Sequence, residues 1–274
     1  MRIDLYLAGK GLAESRSRAQ AMISGGMVLL NGRTVTKPSA QVGELDCVTV
    51  TDTLKFVSRG GEKLLSALER FSLSVEGLTC VDIGASTGGF TDCLLKRGAK
   101  KVYAVDCGTD QLHPSLREDP RVIPMEKTNA RALTAEALGE RCRLAVMDVS
   151  FISQTLMYKA VTDTLTENGI LISLIKPQFE VTAKALGGGG ILRDRREHQH
   201  VIKNVAAKAA EHGLTLTAIA PSPITGGDGN REYLACFTRG GGKGINLTAE
   251  LLSELTSSDR TDKTQQKQNE RKHL

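Results

Sequence analysis

The chain has 274 residues, enough for one large domain or for a large one joined to a small one. At 40% hydrophobic and 24% charged it has the composition of a folded globular protein, and a net charge of +5 with pI near 8.9 permits a nucleic-acid partner without demanding one. Its six cysteines never fall as C-x-x-C, which argues against a disulfide framework or a zinc site, and its most apolar run, "GILISLI" at 169–175, is far too short to cross a bilayer. Reduced, buried thiols and an N-terminus without the apolar core of a signal peptide place the expected compartment in the cytoplasm.

From the N-terminus, "RIDLYLAGKGL" predicts a short helix ending at glycine. "ESRSRAQAMISGG" predicts a second, with Ser15 as its cap and Gly25–Gly26 as its stop. "MVLLNGRTVT" predicts two strands around Asn31–Gly32, a strong hairpin signal, and "DCVTVTD" adds another strand. Residues 1–52 thus read as one very small domain. Arg2, Asp4, Leu7, Ser17, Arg18, Ala21, Gly25, Val28, Asn31 and Gly32, in that order, resemble an S4 RNA-binding domain. The resemblance implies an RNA partner, and the charge agrees, with eight Lys/Arg against five Asp/Glu in residues 1–59. Arg2, Lys10, Arg16, Arg18, Arg33, Lys37 and Arg59 are the candidate ligands for backbone phosphates.

Residues 53–62 read as a linker. In "FVSRGGEKLLSALERF" the apolar Leu64, Leu65, Leu68 and Phe71 recur at helical spacing, while Arg59 and Lys63 stand at the helix start, where basic residues oppose the helix dipole. Lys63 lies on the flank of the apolar face, where it could reach a cleft. From residue 78, short apolar runs alternate with helical segments: "LTCVDIGAS", "KKVYAVDCG", "CRLAVMDVSF", "GILISLIKPQF" and "YLACFTR". That alternation predicts an α/β domain over residues 63–240, a parallel sheet with helices on both faces.

"CVDIGASTGGFTDCLL" reads as strand, glycine-rich turn and helix. Such a turn lets a ligand approach the backbone, and the helix start offers free N–H groups. An acid after the next strand, Asp106, can take both hydroxyls of a ribose. The order G-A-S-T-G-G lacks the second glycine of a dinucleotide site. It resembles motif I of the S-adenosylmethionine-dependent methyltransferases, with a Rossmann-like sheet. That resemblance implies S-adenosyl-L-methionine as cofactor, held by Asp82, Gly84, Ala85, Ser86, Thr87, Gly88, Gly89, Phe90, Asp106 and Asp148, with Asn129 placed to contact adenine.

Asp148 and Lys176 end predicted strands, and functional groups gather at the carboxyl ends of parallel strands. Glu232 precedes its strand and reaches the same edge only if that strand is antiparallel. The order Lys63, Asp148, Lys176, Glu232, with "SRGGEKL" opening the domain and "REY" near its end, resembles the FtsJ-type ribose 2′-O-methyltransferases. Joined to an S4 domain, the chain is similar to the TlyA family, sometimes labelled haemolysins. The resemblance implies methylation of cytidine 2′-hydroxyls in ribosomal RNA or ribosomal subunits. A neutral amine can help a ribose hydroxyl lose its proton, and a second cation and desolvation both lower a lysine. Lys176 is the expected base, Lys63 its orienting partner, and Asp148 and Glu232 the groups that hold the amines. Positioning alone remains an alternative account. The reaction requires no metal, and no His or Cys cluster offers a site for one.

The glycines at 187–190 fit either a mobile lid or a plain loop, and "HQH" at 198–200 reads as surface. Residues 241–274 read as a polar, disordered tail. The competing functions are a non-catalytic ribosome-assembly factor that kept the fold, a membrane-active haemolysin and a small-molecule methyltransferase.

Overall fold

The structure is a computed structural model that describes residues 1–24, 26–50, 56–226 and 229–257. In the N-terminal unit, α1 (Ile3–Gly9) and α2 (Arg16–Ser24) precede β1 (Val28–Leu30), β2 (Arg33–Thr34) and β3 (Val48–Val50), an antiparallel sheet in the order β2-β1-β3. Ser15 caps α2, its Oγ accepting from the Arg18 N–H at 3.1 Å. Asn31 and Gly32 turn the β1–β2 hairpin at φ 52° and 74°, a pair of left-handed residues that matches the strand twist. Ile3, Leu7, Ala19, Ile23 and Val28 are fully buried and form the core.

Asp4 is also fully buried, and it is the polar centre of this unit. Its carboxylate accepts from Arg2, Arg16 and Gln20 at 3.0 Å each. Two of the basic residues expected to meet RNA therefore spend hydrogen bonds inside the domain. Those bonds, with Arg2 foremost, hold the Asp4 carboxyl well below the usual carboxylate range.

The second unit opens with α3 (Gly60–Arg70). It continues through β4 (Thr79–Ile83), α4 (Gly89–Lys96), β5 (Lys101–Val105), α5 (Pro114–Arg117), β6 (Val122–Met125), α6 (Ala135–Leu138), β7 (Cys142–Met147), α7 (Tyr158–Thr164) and β8 (Leu165–Ile175). α8 (Arg195–Glu211), β9 (Leu214–Pro221), β10 (Tyr233–Arg239) and α9 (Ala249–Thr256) complete it. The strands form one seven-stranded sheet, β6-β5-β4-β7-β8-β10-β9. The first five are parallel, and β10 is antiparallel to both β8 and β9. Because β5 and β7 flank β4, the chain reverses its winding direction at β4, and a cleft opens at the carboxyl ends of β4 and β7. One face of the sheet packs Leu64, Ala67 and Leu68 of α3 with Phe90, Cys93 and Leu94 of α4. The other packs Tyr158 and Val161 of α7, Val201, Ile202 and Val205 of α8, and Leu252 and Leu255 of α9. This is the doubly covered α/β domain expected from the alternation of strands and helices.

Several local expectations are corrected. The segment read as a tail from residue 241 contains α9, capped by Thr248, with Leu252 and Leu255 at 1% and 4% exposure. Its short apolar stripe was hidden by the polar residues around it, and the remainder of that reading, residues 258–274, lies outside the described residues. Helix α3 takes in residues 60–62 of the expected linker, and Phe56 is buried under it, close enough that a Cβ on Gly61 would lie 2.3 Å from its ring. Residues 53–55 of that linker, with the last two residues of the expected N-terminal domain, lie outside the described residues. Glu62 occupies the first turn of α3, so the helix dipole is partly offset there. His198 is not surface: it is 4% exposed, between the Leu192 carbonyl at 3.0 Å and the Tyr233 hydroxyl at 2.9 Å.

A carboxylate held below its unfolded value stabilises the fold above the unfolded pKa, near 3.9, and loses that contribution as pH falls below it. Asp4→Asn is expected to lower the melting temperature of the full chain at pH 7, and the gap to wild type should close as pH falls below about 4. A pH series of melting curves checks it.

Candidate active site

The β4–α4 turn is built on close backbone approach. Gly84, at φ +83°, sits where a Cβ would lie 2.7 Å from the Asp148 carbonyl oxygen, so only glycine lets the ends of β4 and β7 touch. The N–H groups of Gly84 and Ala85 both donate to the Val105 carbonyl, at 2.9 and 3.1 Å. A Cβ on Gly89 would fall 2.1 Å from Ser58 Oγ and 3.0 Å from the Gly61 nitrogen, so α4 and α3 start against each other. This contact carries Lys63 to the turn.

A cavity of about 310 Å³ opens beside the turn. Gly84, Ala85, Ser86, Thr87, Gly89 and Phe90 line one side, and Arg59, Lys63, Asp148 and Lys176 line the other. Two ion pairs organise it. Lys63 Nζ donates to Glu232 Oε2 at 2.5 Å, with side-chain exposures of 11% and 2%. Lys176 Nζ lies 2.6 Å from Asp148 Oδ1 and donates to Ser150 Oγ at 2.7 Å. Asp148 Oδ1 makes no hydrogen bond, so the pair is held by charge rather than by direction. Burial raises Glu232 above the ordinary carboxylate range, against the opposing pull of Lys63. The antiparallel run of β10 is what returns Glu232 to the carboxyl edge of the sheet.

The other residues singled out in the sequence lie around this cavity or away from it. Asp106 follows β5, and its two oxygens accept from the Ser86 N–H at 2.8 Å and the Gly108 N–H at 2.7 Å, which pins the glycine turn to the next strand. Each of those oxygens keeps a second lone pair for a ligand. Gly88 takes φ +93° and packs under Leu112 and Leu116, off the cavity wall. Asp82 is buried beneath the turn, with Oδ2 accepting from Thr91 Oγ1 at 2.7 Å and Oδ1 without a hydrogen-bond partner. Burial pushes its carboxyl up to about 7. Asn129 is exposed, four residues past the end of β6, and its Oδ1 accepts from the Arg131 backbone N–H at 3.2 Å. It acts there as a cap for the 130–132 turn.

Of the basic residues, Lys10, Arg18, Arg33 and Lys37 are exposed, and none forms an ion pair among the described residues. Arg59 stands at the cavity wall, with its side-chain Cδ 3.1 Å from where a Cβ on Gly26 would be. A second cleft, of about 970 Å³, runs between the two units, with Arg18 and Met27 on one side and Thr87, Leu112, His113 and Arg117 on the other.

Sequence reasoning missed Ser58, Ser150, Thr225 and Phe151. The first three line the cavity. Ser150 had a signal, since it stands two residues past Asp148 at the same strand end. Phe151 is 91% exposed at φ 63°, a strained conformation for a bulky residue, with its ring centroid 5.1 Å from that of Phe179.

Residues 56–239 match the FtsJ-like methyltransferase family, and residues 1–46 match the S4 domain. The 16S/23S rRNA (cytidine-2′-O)-methyltransferase TlyA of Mycobacterium tuberculosis is 44% identical over 234 residues, covering 85% of this chain and 87% of that protein. The chain belongs to the TlyA family of FtsJ-like methyltransferases. A relative named Hemolysin A, from Brachyspira hyodysenteriae, is 44% identical over 238 residues, covering 86% of this chain and 99% of its own. A solved structure from Streptococcus thermophilus, provisionally called a hemolysin, superposes with a TM-score of 0.74 at 37% identity, covering 99% of this chain and 98% of that one. Among the described residues no helix is long and apolar enough to cross a membrane, and no group of three or more His, Cys, Asp or Glu is placed to hold a metal.

The raised Asp82 carboxyl carries a signed prediction. A buried acid above its unfolded value costs stability once it ionises, so its contribution is present below about pH 4 and lost as pH rises toward 7. Asp82→Asn, neutral throughout, is expected to flatten the fall in melting temperature between about pH 5 and 8. Parallel curves for the two proteins would show that the carboxyl is already ionised.

Proposed function

We propose that this chain transfers a methyl group from S-adenosyl-L-methionine to the ribose 2′-hydroxyl of a cytidine in ribosomal RNA. The observation that carries the reading is the convergence of two lysine–carboxylate pairs, Lys63–Glu232 and Lys176–Asp148, at one cavity beside a glycine turn. The residues fit the cofactor. The turn presents bare backbone, Asp106 has lone pairs left for a ribose, and a buried carboxylate oxygen of Asp82 stands unpaired beneath the turn. When bound, the cofactor supplies an electrophilic methyl on a positively charged sulfur.

A ribose hydroxyl titrates far above neutral pH, so the oxygen must be aligned and relieved of its proton. In this reading Lys176, in its neutral form, accepts the hydroxyl proton at Nζ. Asp148, 2.6 Å away, stabilises the ammonium that results, and Ser150 fixes its direction. Lys63, tied to Glu232 and nearly buried, turns its remaining N–H bonds toward the hydroxyl oxygen and holds its place. Lys10, Arg18, Arg33 and Lys37 meet phosphates on the N-terminal unit. Phe151, exposed and strained beside Ser150, offers its face to an unstacked base. A ribosomal substrate places this work in the cytoplasm.

Labelled S-adenosyl-L-methionine and undermethylated ribosomal subunits test the reading. Wild type is expected to label RNA at a cytidine ribose, and no RNA label would defeat the proposal. Lys176→Ala should lower kcat by roughly 10²-fold or more with cofactor affinity unchanged. Phe151→Ala should lower kcat/KM for the RNA by about tenfold, again with cofactor affinity unchanged, since stacking on an aromatic ring contributes about 1–3 kcal/mol per base.

A further inference from the structure

A third cavity lies on the α8 face of the sheet, outside the site described above. It encloses about 340 Å³, at the small end of ligand pockets, and its wall includes Arg193, Arg195, Arg231, His198, Tyr233 and Thr256. Side chains alternate along β10 and the residues leading into it. Glu232 faces Lys63, whereas Tyr233 enters the opposite face of the sheet. The cavity is therefore one residue along the chain from the methyl-transfer machinery, at the same edge of the sheet.

Its floor is satisfied. Tyr233 and His198 are buried and hydrogen-bonded to each other at 2.9 Å, and the other nitrogen of His198 meets the Leu192 carbonyl. Its rim is braced. Asn230, 2% exposed, accepts from the Leu192 N–H at 3.0 Å and donates to the Gly190 carbonyl at 3.1 Å, so the glycine run 187–190 is fastened to the start of β10. Among the described residues its charge is not satisfied. Arg195 donates to the Ser253 carbonyl at 3.0 Å and Arg231 to the Ser257 carbonyl, contacts that hold the guanidinium groups in place without neutralising them. Arg193 has no hydrogen bond or ion pair among the described residues, and none of the three pairs with a carboxylate among them. Asp194 lies between two of them in sequence, but its carboxylate is turned to the Arg196 N–H as the cap of α8. Three like charges around one braced cavity repel each other, and an anion that accepts from several of them removes that cost. Guanidinium forks match the paired oxygens of a phosphodiester.

We propose that this cavity seats a backbone phosphate of the RNA on the α8 flank of the methyl-transfer cleft. The inference rests on RNA being the substrate. The basic residues of the N-terminal unit and this seat then hold the strand at separate points, with the nucleotide presented to Lys176 between them.

Arg193 is the cleanest handle, because its replacement removes no contact among the described residues. Binding of the full chain to undermethylated ribosomal subunits is measured from about 50 to about 200 mM salt for wild type, Arg193→Gln and Arg193→Lys. Arg193→Gln is expected to make the plot of log affinity against log salt shallower by about 1 and to weaken binding roughly three- to tenfold at about 0.1 M salt. Arg193→Lys should recover most of the slope, and cofactor affinity should be equal in all three. An unchanged slope in Arg193→Gln, in a protein whose wild type methylates the RNA, overturns the seat and leaves the activity standing. An Arg193-dependent slope in a protein that fails to methylate supports the seat and defeats the activity. Inorganic phosphate added to the free protein separates the remaining source: if it raises the melting temperature of wild type but not of Arg193→Gln while the RNA slopes agree, the cavity binds free phosphate and the RNA seat is overturned.

Discussion

The ends of β4 and β7 meet with no side chain between them, and most of the site follows from that meeting. Gly84 lies against the carbonyl of Asp148 at a distance that a Cβ would close to 2.7 Å. The Asp148 N–H donates to the Ile83 carbonyl at 3.0 Å, so the two strands stay in register up to the point where they part. This contact fixes the mouth of the turn and the origin of the loop that carries Asp148, Ser150 and Phe151. A larger residue at 84 would push the two strand ends apart, and both walls of the cavity would move with them.

The paired arrangement of the four polar residues has an energetic logic. A buried ammonium or carboxylate without a partner is costly, and removing one member of such a pair typically costs about 3–5 kcal/mol. Lys63 and Glu232 are the more buried pair and the more separated in sequence, at 169 residues. They resemble a fixed post. The two lysines are equally exposed, but Asp148 keeps more contact with solvent than Glu232, and the Lys176–Asp148 pairing is not a directed hydrogen bond. In the proposed reaction the proton acceptor belongs to this looser pair.

Much of the fold was legible because the strands of a buried parallel sheet are short continuous apolar runs, and glycine marks the one turn where backbones must touch. The candidate site was legible as residue types at strand ends. It was less legible where partners are chosen by tertiary contact. Asp4 captures Arg2 and Arg16 across 2 and 12 residues, and nothing in a count of basic residues separates those two from Lys10 or Arg33. His198 looks like a surface histidine until Tyr233 arrives from 35 residues away. Asn129, expected to contact adenine, also caps the 130–132 turn, a second role that asparagine fills for local reasons and that its position in the sequence does not announce. Helix α9 is short, and its two buried leucines are decided by what they pack on rather than by their own pattern.

The place of β10 sets an order of assembly. It lies between β8 and β9, pairing with both, although it is the last strand made. Until it inserts, β9 has no partner in the sheet and Lys63 lacks Glu232. The sheet edge that waits for it is the flank of β8, a parallel-sheet strand with unpaired backbone groups. Contacts this far apart in sequence form late and slowly, because a long loop must close before they contribute. The Lys63–Glu232 pair therefore waits for β10, and a chain that stops short of β10 has the glycine turn and the Lys176–Asp148 pair but not the full set of groups around the cavity.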